Sequence, residues 1–317
     1  MKTFRMSIPI WLKYHPQYIN FHMKRNNNNN ILVPTDFSEV AQNALGHALK
    51  IAEVYKNEIT LINIQDEGGL FGLFGSSDKI DLIKEAIDMK MDKLISESKT
   101  LYPNIVINKR VEYGKIYKVI AEIAEEENFD SIIMGTNGAS GLQQITGSNA
   151  SRVINYAKVP VVVVKDQPIG KNGYQKIVLP IDLSRESRQK VTWAIHLAKK
   201  FNSTIHVIYE NSTRDEIKNR IYAAVNQTQD LLAQNNANYI VRGLDEEKYP
   251  DSFAEDTLAY ARDIEADLIM IMSQQEKGFN EFLLGSYAQQ IVNHSSKVPV
   301  MCINSSDSGV ILDGVFG

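Results

Sequence analysis

Cysteine is almost missing from this chain: the 317 residues include one, Cys302. A single thiol cannot form an intrachain disulfide, and no Cys/His grouping at metal-ligand spacing accompanies it. Cys302 lies in the apolar run Val298-Pro299-Val300-Met301-Cys302-Ile303, where it reads as a small buried hydrophobe of a strand. So little cysteine points to a reducing, cytoplasmic compartment. Long hydrophobic runs are missing too. None approaches the ~20 residues of a membrane span, so no membrane partner is expected. Positive charge is not in excess: 34 Lys and Arg stand against 38 Asp and Glu, with net charge -4 and a pI near 5.9. The totals give no sign of the basic face that nucleic-acid binding requires.

No secretion signal is expected at the N-terminus. Met1 to Arg5 is basic, but Ile8 to Leu12 is too short for an apolar core segment, and Lys13 follows at once. Asn26 to Asn30 is a run of asparagines with nothing to bury. Residues 1–30 are expected to be a poorly ordered extension.

What the chain does contain is a repeat. Ile31-Leu32-Val33-Pro34-Thr35-Asp36-Phe37-Ser38 returns as Ile177-Val178-Leu179-Pro180-Ile181-Asp182-Leu183-Ser184, shifted by 177 − 31 = 146. Asp130-Ser131-Ile132-Ile133-Met134 returns as Asp267-Leu268-Ile269-Met270-Ile271, shifted by 267 − 130 = 137. Gly147-Ser148 returns as Gly285-Ser286, and Val159-Pro160-Val161-Val162 as Val298-Pro299-Val300-Met301. The falling shift makes the second copy about nine residues shorter (146 − 137) in its middle. The glycine-rich stretch Gly68 to Gly75 is the expected place of the extra length. The resulting division is 1–30 extension, 31–167 first domain, 168–173 linker, 174–305 second domain and 306–317 tail.

Each copy alternates apolar β-branched runs with segments of 3–4 periodicity. In the first copy the strands are Ile31 to Pro34, Ile59 to Ile64, Ile105 to Val111, Ser131 to Met134 and Val159 to Val164. Ser38 reads as the N-cap of a helix carrying Ala41, Ala44, Leu45, Ala48, Leu49 and Ala52. Strands that are continuous apolar runs separated by helices imply a parallel sheet covered on both faces. The fold class is α/β: two tandem doubly wound, Rossmann-like five-stranded sheets of order 3-2-1-4-5.

The stretch with chemical content runs from Gly135-Thr136-Asn137-Gly138 to Gly147-Ser148-Asn149-Ala150. It joins the end of strand four to the start of a helix. Glycines let backbone amides approach an anion, and a helix start adds unpaired N–H groups and the positive dipole end. Ligands of open α/β sheets sit beyond the carboxyl ends of strands at the switch point of strand order. If strands one and four are neighbours, Asp36 and Gly135 line one crevice, with Asp36 placed to accept from the amine of adenine. The same residues also suit a plain turn and a helix cap, and spacing alone does not choose. The loop is not a Walker A motif, since no Gly-Lys-Ser/Thr ends it. Nor is it a Rossmann dinucleotide fingerprint, since the glycines follow strand four. His47 and His206 read as surface or packing groups, and no Ser-His-Asp set is evident.

Val33-Pro34-Thr35-Asp36-Phe37-Ser38-Glu39, Met134-Gly135-Thr136-Asn137-Gly138, Gly147-Ser148 and Val159 to Val164 together resemble the universal stress protein (UspA-like) family, over nearly all of residues 31–304. The resemblance implies ATP, or another adenine nucleotide, as ligand, with Mg²⁺ arriving only with the nucleotide. It implies Pro34, Thr35, Asp36 and Ile64 around adenine and ribose, and Met134 and Gly135 beside ribose and phosphates. Gly138, Gly147, Ser148 and Asn149 would hold the phosphates. The ATP-binding branch carries Gly-x2-Gly-x9-Gly-Ser/Thr; here eight residues, 139–146, separate Gly138 from Gly147. In the second copy Asp182 and Gly285-Ser286 remain, but Met272-Ser273-Gln274-Gln275 replaces Gly-x2-Gly, so weak or no ATP binding is expected there. The resemblance further implies a stress-response binding and signalling module rather than an enzyme, with an unidentified protein partner. A slow ATPase and a nucleotide-free interaction protein stay open. Family members often dimerise through the fifth strand. In this chain Val161 to Val164 would pair with Val300 to Ile303 as an internal pseudo-dimer, with a homodimer as a further option.

Overall fold

The computed structural model describes residues 29–65, 77–136, 149–181, 187–211, 214–244, 247–273, 285–295 and 297–304. The expectations placed on residues 1–28, on Gly68 to Gly75 and on the tail from 305 lie outside the described residues. The first half runs β1 (Asn30–Pro34), α1 (Glu39–Tyr55), β2 (Glu58–Gln65), α2 (Ser77–Leu101), β3 (Ile107–Tyr113), α3 (Ile116–Glu126), β4 (Ser131–Gly135), α4 (Asn149–Tyr156) and β5 (Val161–Val164). The second half repeats the order as β6 (Lys176–Ile181), α5 (Ser187–Phe201), β7 (Thr204–Glu210), α6 (Asp215–Gln234), β8 (Asn238–Leu244), α7 (Phe253–Asp263), β9 (Leu268–Ser273), α8 (Ser286–His294) and β10 (Val300–Asn304).

Within each half the strands are parallel, and both halves have the expected order: β3-β2-β1-β4-β5 and β8-β7-β6-β9-β10. The halves do not form two separate sheets. β5 and β10 pair antiparallel, Val163 with Val300, Val162 with Met301 and Val161 with Cys302, so all ten strands make one sheet. The buried thiol of Cys302 is thus part of the seam.

Alternation along the strands explains why both faces need covering. Ile31, Val33, Leu61, Ile133, Val162 and Val164 face one layer of core, which includes buried residues of α1, α2, α5 and α6. Leu32, Ile62, Ile132, Met134, Val161 and Val163 face the other, with α3, α4, α7 and α8. Each core layer crosses the seam and draws on both halves. The α1 helix starts where Ser38 accepts a hydrogen bond from the Ala41 amide, and it ends at Lys56, whose left-handed backbone returns its N–H to the Ala52 carbonyl.

Strand register locates the length difference. Ile59 pairs with Ile107 and its counterpart Ile205 with Tyr239, a shift of 239 − 107 = 132 for the third strand. The second half is therefore 146 − 132 = 14 residues shorter between its second and third strands. It regains 137 − 132 = 5 before α7.

Side chains and carbonyls lock the seam. Lys165, just after β5, donates its amine to the Asn293 carbonyl at 3.1 Å, in the last turn of α8. Asn304, its counterpart at the end of β10, donates its amide to the Ile154 carbonyl at 3.1 Å and to the Ala157 carbonyl, at the end of α4. Each half thus supplies a donor to the negative helix terminus of the other. Burial pushes the Lys165 ammonium down to about 8, and neighbouring Asp166 works against the shift. On the opposite face the Tyr55 hydroxyl donates to the His196 carbonyl at 3.2 Å, bringing α1 against α5. Gly173, in the connection between halves, has φ of 71°, and a Cβ there would meet the Phe201 ring at 2.4 Å. Both backbone and space require glycine.

His47 of α1 is buried, as a packing role requires. Its Nε2 lies 3.0 Å from the Gln167 carbonyl and its Nδ1 2.9 Å from the Tyr174 hydroxyl. The carbonyl only accepts, so Nε2 carries the proton and Nδ1 accepts from Tyr174. Burial pulls the imidazole down to about 4. Above the unfolded value near 6.5 this contribution to stability is complete; it is lost as pH falls toward 4, because only the unfolded chain takes up the proton there. The shift corresponds to roughly 3 kcal/mol. Asp130 titrates in the opposite sense, because burial raises it to about 8. The difference between wild type and His47→Gln isolates the imidazole. Denaturant melts from pH 7 to pH 4 should show wild type losing roughly 3 kcal/mol more than the variant; equal slopes would contradict the assignment.

Candidate functional site

β1 and β4 are neighbours, Ile31 pairing with Ser131 and Leu32 with Ile132, while the chain leaves β1 for β2 on the other side. This is a switch point of strand order, and a crevice opens beyond the carboxyl ends of the two strands. Strand geometry places Pro34, Thr35 and Asp36 on one side of it and Met134 and Gly135 on the other.

The turn after β1 is set by its own polar side chains. The buried Thr35 donates its amide to the Ile62 carbonyl at 2.8 Å, and its carbonyl accepts from the Asn63 side-chain amide at 2.7 Å. Its hydroxyl accepts from the Phe37 amide at 3.1 Å. Phe37 is held at φ of 68°, left-handed for a non-glycine residue. Asp36 is exposed, and its Oδ1 accepts from the Ser38 amide at 3.0 Å. The other carboxylate oxygen has no hydrogen-bond partner among the described residues. Asp36 is thus oriented by an Asx turn that uses one of its two carboxylate oxygens.

Gly135 ends β4 opposite Val164. A Cβ on it would lie 3.0 Å from the Val40 carbonyl carbon and Cγ1 and 3.1 Å from the Ala41 amide nitrogen. Glycine is therefore what lets the first turn of α1 close onto the end of β4. Thr136 continues the chain, donating its amide to the Val164 carbonyl at 3.1 Å. Met134 is buried in the α3–α4 layer, and Ile64 is half-buried against the same layer. Asn149 is exposed as the first residue of α4. Gly138, Gly147 and Ser148 lie outside the described residues. Of the expected set, the structure brings the ends of β1, β2 and β4 to one edge of the sheet, with the start of α1.

Two residues here escaped the sequence reading. Asn63 ties β2 to the Thr35 carbonyl, and Val40 is the α1 group that abuts Gly135. Asn63 carried a signal, a polar residue inside the apolar run Ile59 to Ile64. Val40 carried none. Among the described residues no group of three or more His, Cys, Asp or Glu side chains converges as a metal site.

The second half differs at the critical position. Register places Met272 where the first half has Gly135, 272 − 135 = 137, and it pairs with Ile303. Its side chain is buried in the α1–α5 core layer, in the direction that the missing Cβ of Gly135 would take. Gly285 caps α8, which starts at Ser286 with no side-chain cap hydrogen bond. Asp182, Gln274 and Gln275 lie outside the described residues.

A family profile described as the universal stress protein family matches this chain twice, over residues 27–165 and 173–304. Universal stress protein MJ0531 of Methanocaldococcus jannaschii is 34% identical over 167 residues, covering 51% of this chain and 96% of the relative. Universal stress protein MJ0577 of the same organism is 31% identical over 154 residues, covering 43% of this chain and 93% of its own length. Among solved structures, a universal stress protein from Archaeoglobus fulgidus aligns over 88% of this chain and 97% of its own, with a TM-score of 0.71 at 21% identity. At that identity the likeness concerns the fold. With both halves matched and the same five-strand order built twice, this chain belongs to the universal stress protein family as a tandem member.

Proposed function

We propose that the first half binds one adenine nucleotide, ATP by preference, and that the chain works as a binding and signalling module in a cytoplasmic stress response. The observation that carries this reading is Gly135. It lies beside Asp36 at the switch point and lets the first turn of α1 close onto the end of β4, whereas the corresponding Met272 of the second half carries a side chain buried in the core layer. In the proposed complex Pro34, Thr35, Asp36 and Ile64 frame adenine and ribose. Met134 and Gly135 run beside ribose and phosphates, and Gly138, Gly147, Ser148 and Asn149 take the phosphates at the start of α4. Mg²⁺ enters with the nucleotide. Asp36 accepts the exocyclic amine through the oxygen that the Ser38 amide does not use.

The second half acts on this proposal as the internal partner of the first. The seam occupies the fifth strand of each half. A homodimer, or a separate protein partner, therefore uses another surface. Hydrolysis is not proposed as the main role, because among the described residues the crevice offers Asp36 alone as a general base.

A nucleotide-free interaction protein is the second reading, favoured by one observation. Contact with Val40 is by itself sufficient reason for glycine at 135. The readings separate on the bound state. Asp36 is exposed, so Asp36→Ala should leave the melting temperature within a few degrees while weakening ATP binding about tenfold, the loss of one hydrogen bond to a charged group. Isothermal titration of the full chain reads this directly. Unchanged affinity in Asp36→Ala would remove the carboxylate from the site; absence of any ATP heat in wild type would favour the second reading. Gly135→Val should both destabilise the chain and abolish binding, because its side chain displaces the first turn of α1.

A further inference from the structure

We propose a second ligand site, independent of the nucleotide reading: the groove between α7 and the α8–β10 turn binds a small amphipathic anion, one acid group on an apolar body. The groove has a volume of about 360 Å³ and a floor of Leu258, Ala259, Ile269 and Val298. Volumes of this order are those of small-molecule sites. Arg262, His294 and Lys297 also line it.

The duplication supplies an internal control. α3 of the first half corresponds to α7 at a shift of 253 − 116 = 137, and Lys158-Val159-Pro160 corresponds to Lys297-Val298-Pro299. In the first half the equivalent surface is neutralised. Lys158 pairs with Glu125 at 2.7 Å, and Lys118 pairs with Glu122 at 3.5 Å. In the second half Glu125 is replaced by Arg262, Glu122 by Ala259 and Lys118 by Glu255. The first exchange turns an ion pair into two like charges; the second removes a carboxylate and leaves a methyl group on the floor. Neither Arg262 nor Lys297 has an ion-pair partner among the described residues. Asp263, next to Arg262, is engaged by Lys248 at 2.7 Å and by the Tyr249 hydroxyl at 2.9 Å.

Cations that make no ion pair repel one another, and an anion bound between them relieves that repulsion. The apolar floor accounts for the body of the ligand. Glu255 and Asp251 line the same groove. Glu255 precedes Arg262 by seven residues, about 10 Å along the helix. These carboxylates fix the direction, acid group toward Arg262, and disfavour a second acid group at the other end.

The test uses the full chain with benzoate and phenyl phosphate as probes, read through the imidazole NMR signals of His294. Saturable shifts are expected with at least one probe, and the preferred one tells a carboxylate ligand from a phosphate ligand. Arg262→Glu recreates the Glu–Lys pair of the first half, so it should fold at least as well as wild type. It should also weaken probe binding at least tenfold. Lys297→Gln should weaken it in the same direction. Static His294 signals with both probes, or unchanged affinity in a folded Arg262→Glu chain, would overturn the proposal.

Discussion

The antiparallel pairing of β5 with β10 is the contact on which the rest of the architecture depends. Each half ends in an apolar strand that would otherwise be an exposed sheet edge, open to pairing with any other chain. Joining the two edges removes that liability, merges the cores on both faces, and brings each half's final residues to the helix ends of the other. The contacts of Lys165 with α8 and of Asn304 with α4 follow from this register. So does the packing of α1 against α5 through Tyr55. The arrangement is that of an isologous dimer written into one chain.

A covalent dimer is free to lose its symmetry, because each half mutates alone. The consequences appear at three matched positions. Gly135 corresponds to Met272, Glu125 to Arg262, and Lys165 to Asn304. The first exchange alters what fits between a strand end and a helix start. The second opens a charged groove on one half. The third keeps a hydrogen-bond donor at the seam while changing its charge. The shared fold tolerates all three because the core alternation along the strands is untouched.

Much of this was legible in the sequence. Apolar runs of β-branched residues marked the strands, and 3–4 periodicity with Ser38 ahead of it marked α1, because burial on one or both faces leaves a period. The repeat itself exposed the glycine that one copy lacks. The net length change of nine was also legible. Its composition, fourteen lost and five regained, was not, because it requires the pairing of β2 with β3 and of β7 with β8. Contacts across the seam were hidden for the same reason: nothing near Lys165 in sequence indicates that the Asn293 carbonyl lies 3.1 Å away. At the crevice, Asp36 and Gly135 stood out by residue type. The role of Gly135 as the seat of α1's first turn required the position of Val40.

The central claim is asymmetry: one nucleotide for two homologous halves. Equilibrium dialysis of the intact chain against labelled ATP measures it directly. Saturation at one ATP per chain, unchanged in a Met272→Ala variant and lost in Gly135→Val, is the expected result. Saturation at two per chain, or retention of a full site in Gly135→Val, would contradict the account.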